Sequence, residues 1–309
     1  MNKIYGFGNA LIDIEVILSE EDLTSLNIKK GSMVHINVKQ RDIWLKMFEN
    51  KILSKNPGGS IANSIYSASS QLSNCAFSGS VGLDSEKELF HKGFNAKFTQ
   101  TKYNLSDKPT GVCFIFVTPD GERTMASHLS ANEDLIPDCI DKNILSKSDW
   151  LIFDAFSVCT KNGFKTAKYA LNIAKENKLK IGFGLADINL VESNKSEILW
   201  VLSQSIDLVA GNENEISLLK DFIPKNTNVL CSFGSKGCKF NSLEIKAKTN
   251  IDIVNTNGAG DALLGIFLSN IDNIKTVICI IKIIMKILSN LILDFFLSKP
   301  DLLFASRLA

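Results

Sequence analysis

The sequence predicts an α/β fold: a central, mostly parallel β-sheet with helices on both faces and a small β lid. Two observations carry this prediction. Short β-rich runs alternate with longer helical runs along most of the chain, and repeated strand–helix–strand units build parallel sheets covered by helices. One segment departs from the alternation, because it holds two strand-like runs joined by a turn signal. A hairpin that projects from such a sheet is suited to close over a site at the strand ends.

The alternation assigns each element in turn. The predicted strands cover residues 3–7, 76–81, 112–118, 150–153, 180–183, 207–210, 228–233 and 251–255. The predicted helices cover residues 61–72, 163–176, 196–203 and 213–222. The hairpin lies within residues 108–129, where Thr-Pro-Asp-Gly-Glu at 118–122 combines residues that favour a tight turn.

Length and charge limit the class of protein. A chain of 309 residues suits one large α/β domain or two small ones. One domain is favoured, since no repeat or low-complexity linker interrupts the sequence. The net charge of +1 gives no electrostatic reason to expect a nucleic acid or an acidic membrane as partner. We therefore expect a small-molecule substrate and no nucleic acid, and a protein that is a monomer or a homodimer.

The cysteines and histidines argue against two further classes. The seven cysteines are dispersed without a Cys-x-x-Cys pair, and the chain has three histidines. This pattern disfavours a disulfide framework and a zinc site, and it favours reduced, mostly buried cysteines. The first residues lack the long apolar stretch of a secretory signal, so we expect a cytoplasmic location.

Two common nucleotide-binding motifs are excluded. The early Gly6-Phe7-Gly8 would need a third glycine at position 11, which is Leu11. A Walker A loop needs a Gly-Lys dipeptide, and the sequence contains none. Any nucleotide site must therefore be built in another way.

The strongest motif is Asn-Thr-Asn-Gly-Ala-Gly-Asp at residues 255–261, between a strand-like run and the apolar helical run 262–268. Glycines at such a junction let the first N–H groups of a helix point into open space, where they favour an anion. Asp261 in the first turn can accept a proton from an attacking hydroxyl. The alternative is a glycine-rich turn with Asp261 as a helix-start charge.

A second motif, Gly-Gly-Ser-Ile-Ala-Asn, occupies residues 58–63. Paired glycines allow close approach and unusual backbone angles, and Ser60 is a suitable N-cap for the helix that follows. Taken alone, such a motif is more often only a turn and a cap than a binding site. Near the N-terminus, Asp13 can accept hydrogen bonds from two neighbouring hydroxyls, or it can be a solvent-facing strand residue.

Two later segments follow short strands. Asn212 and Glu215 have the spacing of a capping box at the start of a helix, which is also compatible with a sparse magnesium site. Residues 232–237, Ser-Phe-Gly-Ser-Lys-Gly, form a glycine-containing loop after a late strand.

In their order and spacing along the chain, these five motifs resemble those of the ribokinase-like (PfkB) carbohydrate and nucleoside kinases. The resemblance covers residues 1–268, with lid strands at about 13–38 and 108–129. It implies a ribokinase-like fold and the transfer of the γ-phosphate of ATP, with Mg²⁺, to a hydroxyl of a sugar or nucleoside. One position departs from the family: the strongest motif begins with Asn255, where the family usually has Asp.

The resemblance also implies a role for each motif residue. The implied catalytic groups are Asp261 as the base, with Gly258, Ala259 and Gly260 as the anion hole. The implied substrate-binding residues are Asp13, Gly58, Gly59 and Asn63. The implied ATP-binding residues are Asn212, Ser232, Gly234, Gly237 and Thr256, and Glu215 is the implied Mg²⁺ residue, acting mostly through water.

The lid region resembles the adenosine-kinase-like branch, on residues 30–33 before a predicted helix, 109–113 and 118–125. An adenine base needs an apolar slot, which Phe114, Phe116, Phe153 and Phe156 can supply. The same four residues can equally be core. Adenosine or a related ribosyl compound is favoured as the acceptor, and a plain sugar is the alternative acceptor.

The last segment, residues 269–309, does not resemble the family. Residues 274–297 are dense in Ile and Leu, but Lys275, Lys282, Lys286 and Asp294 disfavour a membrane span. A frameshift near residue 269 is one hypothesis, and a genuinely divergent C-terminus is the other. If the tail is native, the alternative function is a catalytically impaired nucleoside- or sugar-binding protein; a tail-anchored membrane protein is a third hypothesis.

Overall fold

The computed structural model describes residues 2–94, 96–185, 187–247 and 258–272. Their strands form a nine-stranded sheet, called the main sheet below, and a five-stranded sheet, called the lid. The predicted strand 251–255, with Asn255, and the tail beyond residue 272 lie outside the described residues. Within the described ranges, no helix is both long and apolar enough to cross a bilayer.

The strands and helices follow in chain order. The strands are β1 (Ile4–Phe7), β2 (Leu11–Ile17), β3 (Met33–His35), β4 (Ile52–Gly58), β5 (Cys75–Val81), β6 (Thr99–Leu105), β7 (Gly111–Val117), β8 (Arg123–His128), β9 (Trp150–Asp154), β10 (Lys180–Gly184), β11 (Leu208–Asn212), β12 (Asn228–Ser232), β13 (Gly237–Phe240) and β14 (Leu243–Lys246). The α-helices are α1 (Glu20–Ser25), α2 (Val38–Met47), α3 (Ser60–Ser70), α4 (Ser85–Lys92), α5 (Lys142–Leu145), α6 (Ala155–Val158), α7 (Lys161–Glu176), α8 (Ile188–Ser193), α9 (Lys195–Leu202), α10 (Glu213–Leu219) and α11 (Ala259–Asn270).

The main sheet has the order β14-β13-β12-β11-β10-β9-β1-β5-β6. Strands β13 and β14 join by antiparallel pairing, and the other neighbours pair in parallel. The chain leaves β1 toward β5 on one side and later returns to β9 on the other side. Ligands of open α/β sheets bind at such a switch point, outside the carboxyl ends of the strands.

Alternating side chains of the main-sheet strands build a core on each face. Ile4 and Ile152 lie in the cluster that includes α3 and α11, whereas Tyr5 and Phe153 lie in the cluster that includes α7 and α9. Each fully buried large side chain of this kind contributes about 1.5–3 kcal/mol to stability. The prediction of a mostly parallel sheet with helices on both faces is therefore confirmed.

The lid has the order β3-β8-β7-β2-β4. One of its faces packs on α2, where the rings of Phe114 and Phe116 lie 5.7 and 5.5 Å from the ring of Trp44. Phe114, Phe116 and Phe153 are fully buried, so these three phenylalanines belong to the core. The opposite face of the lid turns toward the carboxyl ends of the main-sheet strands.

Helices α3 and α11 pack closely and bring distant parts of the sequence together. A Cβ atom at Gly265 of α11 would collide with the carbonyl oxygen of Ser64 of α3. The Ser64 hydroxyl donates to the carbonyl oxygen of Asp261 over 2.9 Å. Glycine at position 265 thus sets the spacing that lets the first turn of α11 meet the first turn of α3.

The predicted strands within the described residues and the four predicted helices are confirmed, with ends shifted by up to three residues. The hairpin is also confirmed as β7 and β8, which pair antiparallel. The sequence pattern does not predict β4, β6, β13 or β14, which are short or carry little apolar periodicity. Residues 30–33 do not lead directly into a helix, because β3 intervenes before α2.

Candidate active site

A cavity of about 520 Å³ lies between the carboxyl ends of the main-sheet strands and the lid. The main-sheet wall comes from the ends of β9–β12 and the first turns of α3 and α11. The lid wall comes from β2, β3, β7 and β8. Of the predicted site residues, the cavity is lined by Asp13, Gly59, Asn63, Asn212, Glu215, Ser232, Gly260 and Asp261.

The Asp261 carboxylate is held by two side chains from α3. Its Oδ1 accepts a hydrogen bond of 2.7 Å from the Ser60 hydroxyl, and its Oδ2 accepts one of 3.0 Å from the Asn63 amide. Burial raises the pKa of Asp261, and the two hydrogen bonds oppose that rise. The carboxylate is therefore oriented and is a stronger base than an exposed aspartate.

The paired glycines explain why Ser60 and Asn63 reach Asp261. Gly59 has φ +102°, and a Cβ atom there would collide with the carbonyl oxygen of Asn9. Gly59 itself is the N-cap of α3, so the prediction that Ser60 caps this helix is wrong. With the helix begun by a glycine, the Ser60 hydroxyl is used for Asp261 instead.

Gly58 of β4 is a diagonal neighbour of Asp13 of β2, because the register places Gly58 opposite Leu11 and Asp13 opposite Asn56. A Cβ atom at Gly58 would collide with the Asp13 carboxylate, so glycine at position 58 makes room for that side chain. Gly58 itself does not line the cavity, whereas Asp13 does. The structure thus brings Asp13 to the lid side of the cavity and Asp261 to the main-sheet side.

The start of α11 has the geometry of an anion site. Its N-cap is Gly258, which has a left-handed backbone with φ +70°. Among the described residues, no side chain caps the first turn of this helix. A Cβ atom at Gly260 would meet no described atom within 4 Å. Gly260 lines the cavity, while Gly258 and Ala259 precede it at the helix start without lining it. First-turn amides that are not capped by side chains can bind a negative group.

Two further carboxyl groups at the main-sheet wall have raised pKa values. Asp154, only 1% exposed, accepts hydrogen bonds from the backbone N–H of Ser157, over 2.8 Å, and from the Ser157 hydroxyl. Burial, helped by the charge of Asp261, raises the pKa of Asp154 to about 6. Burial, with the charges of Asp187 and Asp261, raises the pKa of Glu215 to about 7.

Glu215 and Asn212 form the predicted capping box at the start of α10. The Asn212 side chain accepts from the N–H of Glu215 over 3.0 Å, and the Glu215 carboxylate accepts from the N–H of Asn212 over 2.9 Å. Asn212 lies at the end of β11, so the box holds both residues at the cavity wall.

The acidic residues fit a magnesium ion held mostly through water. Carboxylate oxygens are the ligands that Mg²⁺ prefers, and it keeps several waters when bound. Burial, and after it the negative charges of Asp187 and Asp261, raise the pKa of Glu215, and a nearby cation would favour its ionised form. No cluster of three or more His, Cys, Asp or Glu side chains close enough to bind an ion directly occurs in the described ranges. Glu215 and Asp187 are therefore the residues suited to hold a hydrated ion.

The predicted nucleotide loop is placed only in part at the cavity. Ser232, at the end of β12, lines the cavity, but Gly234 and Gly237 do not. Gly237, with φ +113°, packs against β14, where a Cβ atom would collide with the carbonyl oxygen of Ile245. The close packing of the β13–β14 hairpin thus explains why residue 237 is a glycine. Thr256 lies outside the described residues.

The lid wall carries a polar row across its strands. The register pairs Asp13 of β2 with Cys113 of β7, Cys113 with Ser127 of β8, and Ser127 with His35 of β3. The Ser127 hydroxyl and Nδ1 of His35 are joined by a hydrogen bond of 2.9 Å. All four residues line the cavity.

An apolar row lies beside this polar row, one side-chain repeat further along the strands. It consists of Ile115, Met125 and Met33, which are register partners across β7, β8 and β3 and line the cavity. Phe156, partly buried at the start of α6, lines the cavity from the main-sheet side. Of the four phenylalanines proposed for an apolar slot, Phe156 is thus the one at the cavity.

Several cavity residues are not predicted from the sequence. Asp154 directly follows the predicted strand 150–153, and its position at a carboxyl end was a usable signal. Asp187 comes three residues after the end of β10, near the same edge of the sheet. Ser127 and His35 offered no comparable signal, because their meeting depends on the pairing of β3 with β8.

Comparisons with known proteins agree with this architecture. The pattern described as pfkB family carbohydrate kinase matches residues 31–282. Adenosine kinase 2 of Arabidopsis thaliana is 24% identical over 316 aligned positions, covering 89% of this chain and 89% of that protein. Probable fructokinase-2 of Arabidopsis thaliana is 22% identical over 285 positions, covering 84% of this chain and 85% of that protein.

Solved structures share the fold. The adenosine kinase from Sinorhizobium meliloti superposes with a TM-score of 0.78 at 24% identity, covering 87% of each chain. A probable sugar kinase protein from Rhizobium etli CFN 42 superposes with a TM-score of 0.82 at 22% identity, covering 92% of this chain and 91% of that one.

Proposed function

The chain belongs to the pfkB family of carbohydrate kinases, which are phosphotransferases with an alcohol acceptor, and we propose that it uses ATP to phosphorylate a hydroxyl of a ribosyl compound, adenosine being favoured. In this proposal residues 1–268 form the kinase domain, and Asp261 is the base. The protein acts in the cytoplasm on a small molecule.

One observation carries the proposal: the Asp261 carboxylate is oriented by Ser60 and Asn63 at the cavity wall, beside the first turn of α11, which no described side chain caps. A general base must lie within hydrogen-bond reach of the proton it removes and must have a suitable pKa. Burial supplies the raised pKa, and the two hydrogen bonds supply the orientation.

The chain's own groups divide the chemical work. Asp261 accepts the proton that the acceptor hydroxyl loses during phosphoryl transfer. The amides of residues 258–260 stabilise the negative charge that spreads over the transferred group. Mg²⁺, held through water near Glu215 and Asp187, would neutralise charge on the ATP phosphates. The lid excludes water, which would otherwise compete with the acceptor for the phosphoryl group.

Asp13 favours a sugar ring as the reacting part of the acceptor. Its carboxylate, on the lid wall opposite Asp261, is suited to accept hydrogen bonds from two neighbouring hydroxyls. The apolar row of Ile115, Met125 and Met33 gives a flat base a surface on which to pack, which a plain sugar would not need. The presence of adenosine kinases among the similar proteins agrees with a nucleoside acceptor.

The test is ADP release by the purified full-length protein with ATP, Mg²⁺ and a panel of acceptors: adenosine, other nucleosides, ribose and fructose. Turnover with adenosine or another ribosyl compound is expected. Turnover with fructose alone would support the kinase activity and contradict the proposal that the acceptor is a ribosyl compound. No turnover with any acceptor would contradict the kinase activity, and retained nucleoside binding would then support a catalytically impaired binding protein.

A further inference from the structure

Ser127 is a buried hydroxyl at the cavity wall with unused hydrogen-bonding capacity toward a ligand. Its residue is only 1% exposed, and its side chain is joined to His35 Nδ1 over 2.9 Å. A hydroxyl has one donor and two acceptor positions, so the bond to His35 uses one of three. Buried polar groups normally find partners, and a bound ligand is a suitable partner in a cavity.

The position of Ser127 relative to Asp13 is set by the lid. The two residues lie in the same polar row, with β7 between their strands, so their backbones are separated by about 10 Å, twice the usual strand spacing. A single sugar ring held at Asp13 does not reach across that distance. The span matches that from the ribose hydroxyls of a nucleoside to the far edge of its base.

The surroundings of Ser127 fit a base rather than a second sugar. The apolar row of Ile115, Met125 and Met33 runs alongside the polar row and provides a surface for an aromatic ring. Ser127 and His35 then lie at the end where the hydrogen-bonding edge of the ring would be. Apolar walls with a few placed polar groups are the usual composition of a selective small-molecule site.

We propose that Ser127, oriented by His35, is a specificity-determining residue that reads the hydrogen-bonding edge of the base of a nucleoside acceptor. The inference rests on the proposed function and adds to it a way of choosing among nucleosides. Ser127 is the contact residue, and His35 is the positioning residue.

The hydrogen bond between Ser127 and His35 can run in either direction, and each direction suits a different kind of base edge. If Nδ1 of His35 accepts, the Ser127 proton points to His35 and the Ser127 oxygen accepts from an amino group of the base. If Nδ1 carries a proton, it donates to Ser127, whose own proton is then free for a carbonyl oxygen or ring nitrogen. Adenosine and inosine differ at this edge, because adenosine carries an amino group there and inosine a carbonyl. The ratio of their dissociation constants therefore reports the direction of the hydrogen bond between Ser127 and His35.

The experiment uses the full-length protein and four variants: Ser127→Ala, His35→Leu, His35→Asn and the control Ser54→Ala. His35→Asn keeps a hydrogen-bonding atom near the Nδ1 position. Ser54 is on the same sheet but outside the cavity lining, with its hydroxyl 3.3 Å from Glu15. The readouts are kcat/KM for adenosine, inosine and ribose, and the dissociation constants of the two nucleosides by calorimetry.

We expect the wild type to discriminate between adenosine and inosine. Ser127→Ala and His35→Leu should each reduce the ratio of their dissociation constants roughly tenfold, the usual size for one hydrogen bond. Ribose turnover should stay at the wild-type value in both. His35→Asn and Ser54→Ala should keep the wild-type ratio.

The inference would be overturned by equal affinity of the wild type for the two nucleosides, or by wild-type discrimination in Ser127→Ala. The calorimetric ratio decides this point even if no acceptor is phosphorylated, an outcome that would overturn the proposed kinase activity instead. Turnover of sugars without any nucleoside binding would support the kinase activity, but it would overturn the inference about Ser127.

Discussion

The main-sheet wall and the lid wall of the cavity differ in how their polar side chains are held. On the main-sheet wall, Asp261 is bonded by Ser60 and Asn63, and Asp154 is buried at the end of β9. On the lid wall, Met33 and His35 belong to β3, a three-residue strand at the edge of the sheet. Lys30, just before β3, pairs with Asp120 over 2.7 Å and with Glu20, and these groups are substantially exposed.

This difference suits two separate tasks. Proton removal requires a fixed geometry, and helices packed at a buried junction provide it. Acceptor entry requires a wall that opens, and elements with few buried contacts and exposed bonds open most easily. Changes to the main-sheet wall should therefore alter turnover or stability, and changes to the lid should mainly raise the acceptor KM.

The largest expected effect is that of Asp261→Asn. Loss of the base should lower kcat by a factor of about 10²–10⁴, while acceptor binding, measured by calorimetry, stays near the wild-type value. Asp221→Asn, at an exposed acidic residue outside the cavity lining, is the control. Near-normal turnover of Asp261→Asn would contradict the assignment.

Asp154→Asn should stabilise the protein above neutral pH. The pKa of Asp154 is raised from 3.8 to about 6, so the folded state binds this proton more tightly than the unfolded state. Ionisation of Asp154 therefore costs stability as the pH rises from about 4 to 6, and the cost persists above that range. Asn removes this cost and can still cap α6.

The gain is on the order of 2–3 kcal/mol at pH 7.5 and disappears near pH 4. Thermal unfolding of the wild type and the variant across this range measures it. Asp138→Asn, at an exposed aspartate, is the control. A variant less stable than the wild type at pH 7.5 would show that the carboxylate is held by a favourable partner.

Two glycines of α11 provide a matched pair of alanine variants. Gly265→Ala places a methyl group against the carbonyl oxygen of Ser64, and such overpacking costs about 1–3 kcal/mol. It should also lower kcat, because the junction of α3 and α11 positions Asp261. Gly260→Ala meets no described atom within 4 Å and should leave thermal stability unchanged. Equal melting temperatures of the two variants would contradict the close packing.

The smallest effect is expected in the lid. Lys30→Ala removes the ion pairs that hold the segment before β3, and we expect the acceptor KM to rise a few-fold with kcat nearly unchanged. Lys51→Ala removes a comparable exposed pair with Asp22, 2.6 Å long, away from the cavity, and serves as control. Added salt should reduce the difference between wild type and Lys30→Ala, since exposed pairs are screened. A drop in kcat alone would contradict a role in positioning the lid.

Much of the main-sheet wall could be predicted from the sequence. Asp261, Asn63 and Glu215 lie directly after strands or glycine turns, where short-range patterns and family motifs carry the information. The start of α3 was predicted incorrectly in detail, because the positive φ of Gly59 lets the helix begin one residue earlier. The hydroxyl of Ser60 then bonds to a residue far along the chain, which no local pattern reveals.

The lid wall could be predicted much less well. Its polar and apolar rows depend on the register of five strands, and β3 and β4 have no clear alternation of apolar residues. A shift of one residue in any pair would turn Ser127 or Asp13 to the other face of the sheet. The meeting of Ser127 with His35 thus follows from tertiary pairing and not from either local sequence.

The most direct test of the central claim, that Asp261 is the base and that the α3 side chains bonded to it oppose the rise in its pKa caused by burial, is the pH dependence of kcat/KM in Ser60→Ala. The Ser60 hydroxyl lowers the pKa of Asp261, so its removal should move the acidic limb of the profile to higher pH. Ser64→Ala is the matched control, because Ser64 donates to the backbone carbonyl of Asp261 and not to its carboxylate. An acidic limb that shifts in Ser60→Ala and stays in place in Ser64→Ala is the predicted result. Superimposable profiles for Ser60→Ala and the wild type would contradict the account.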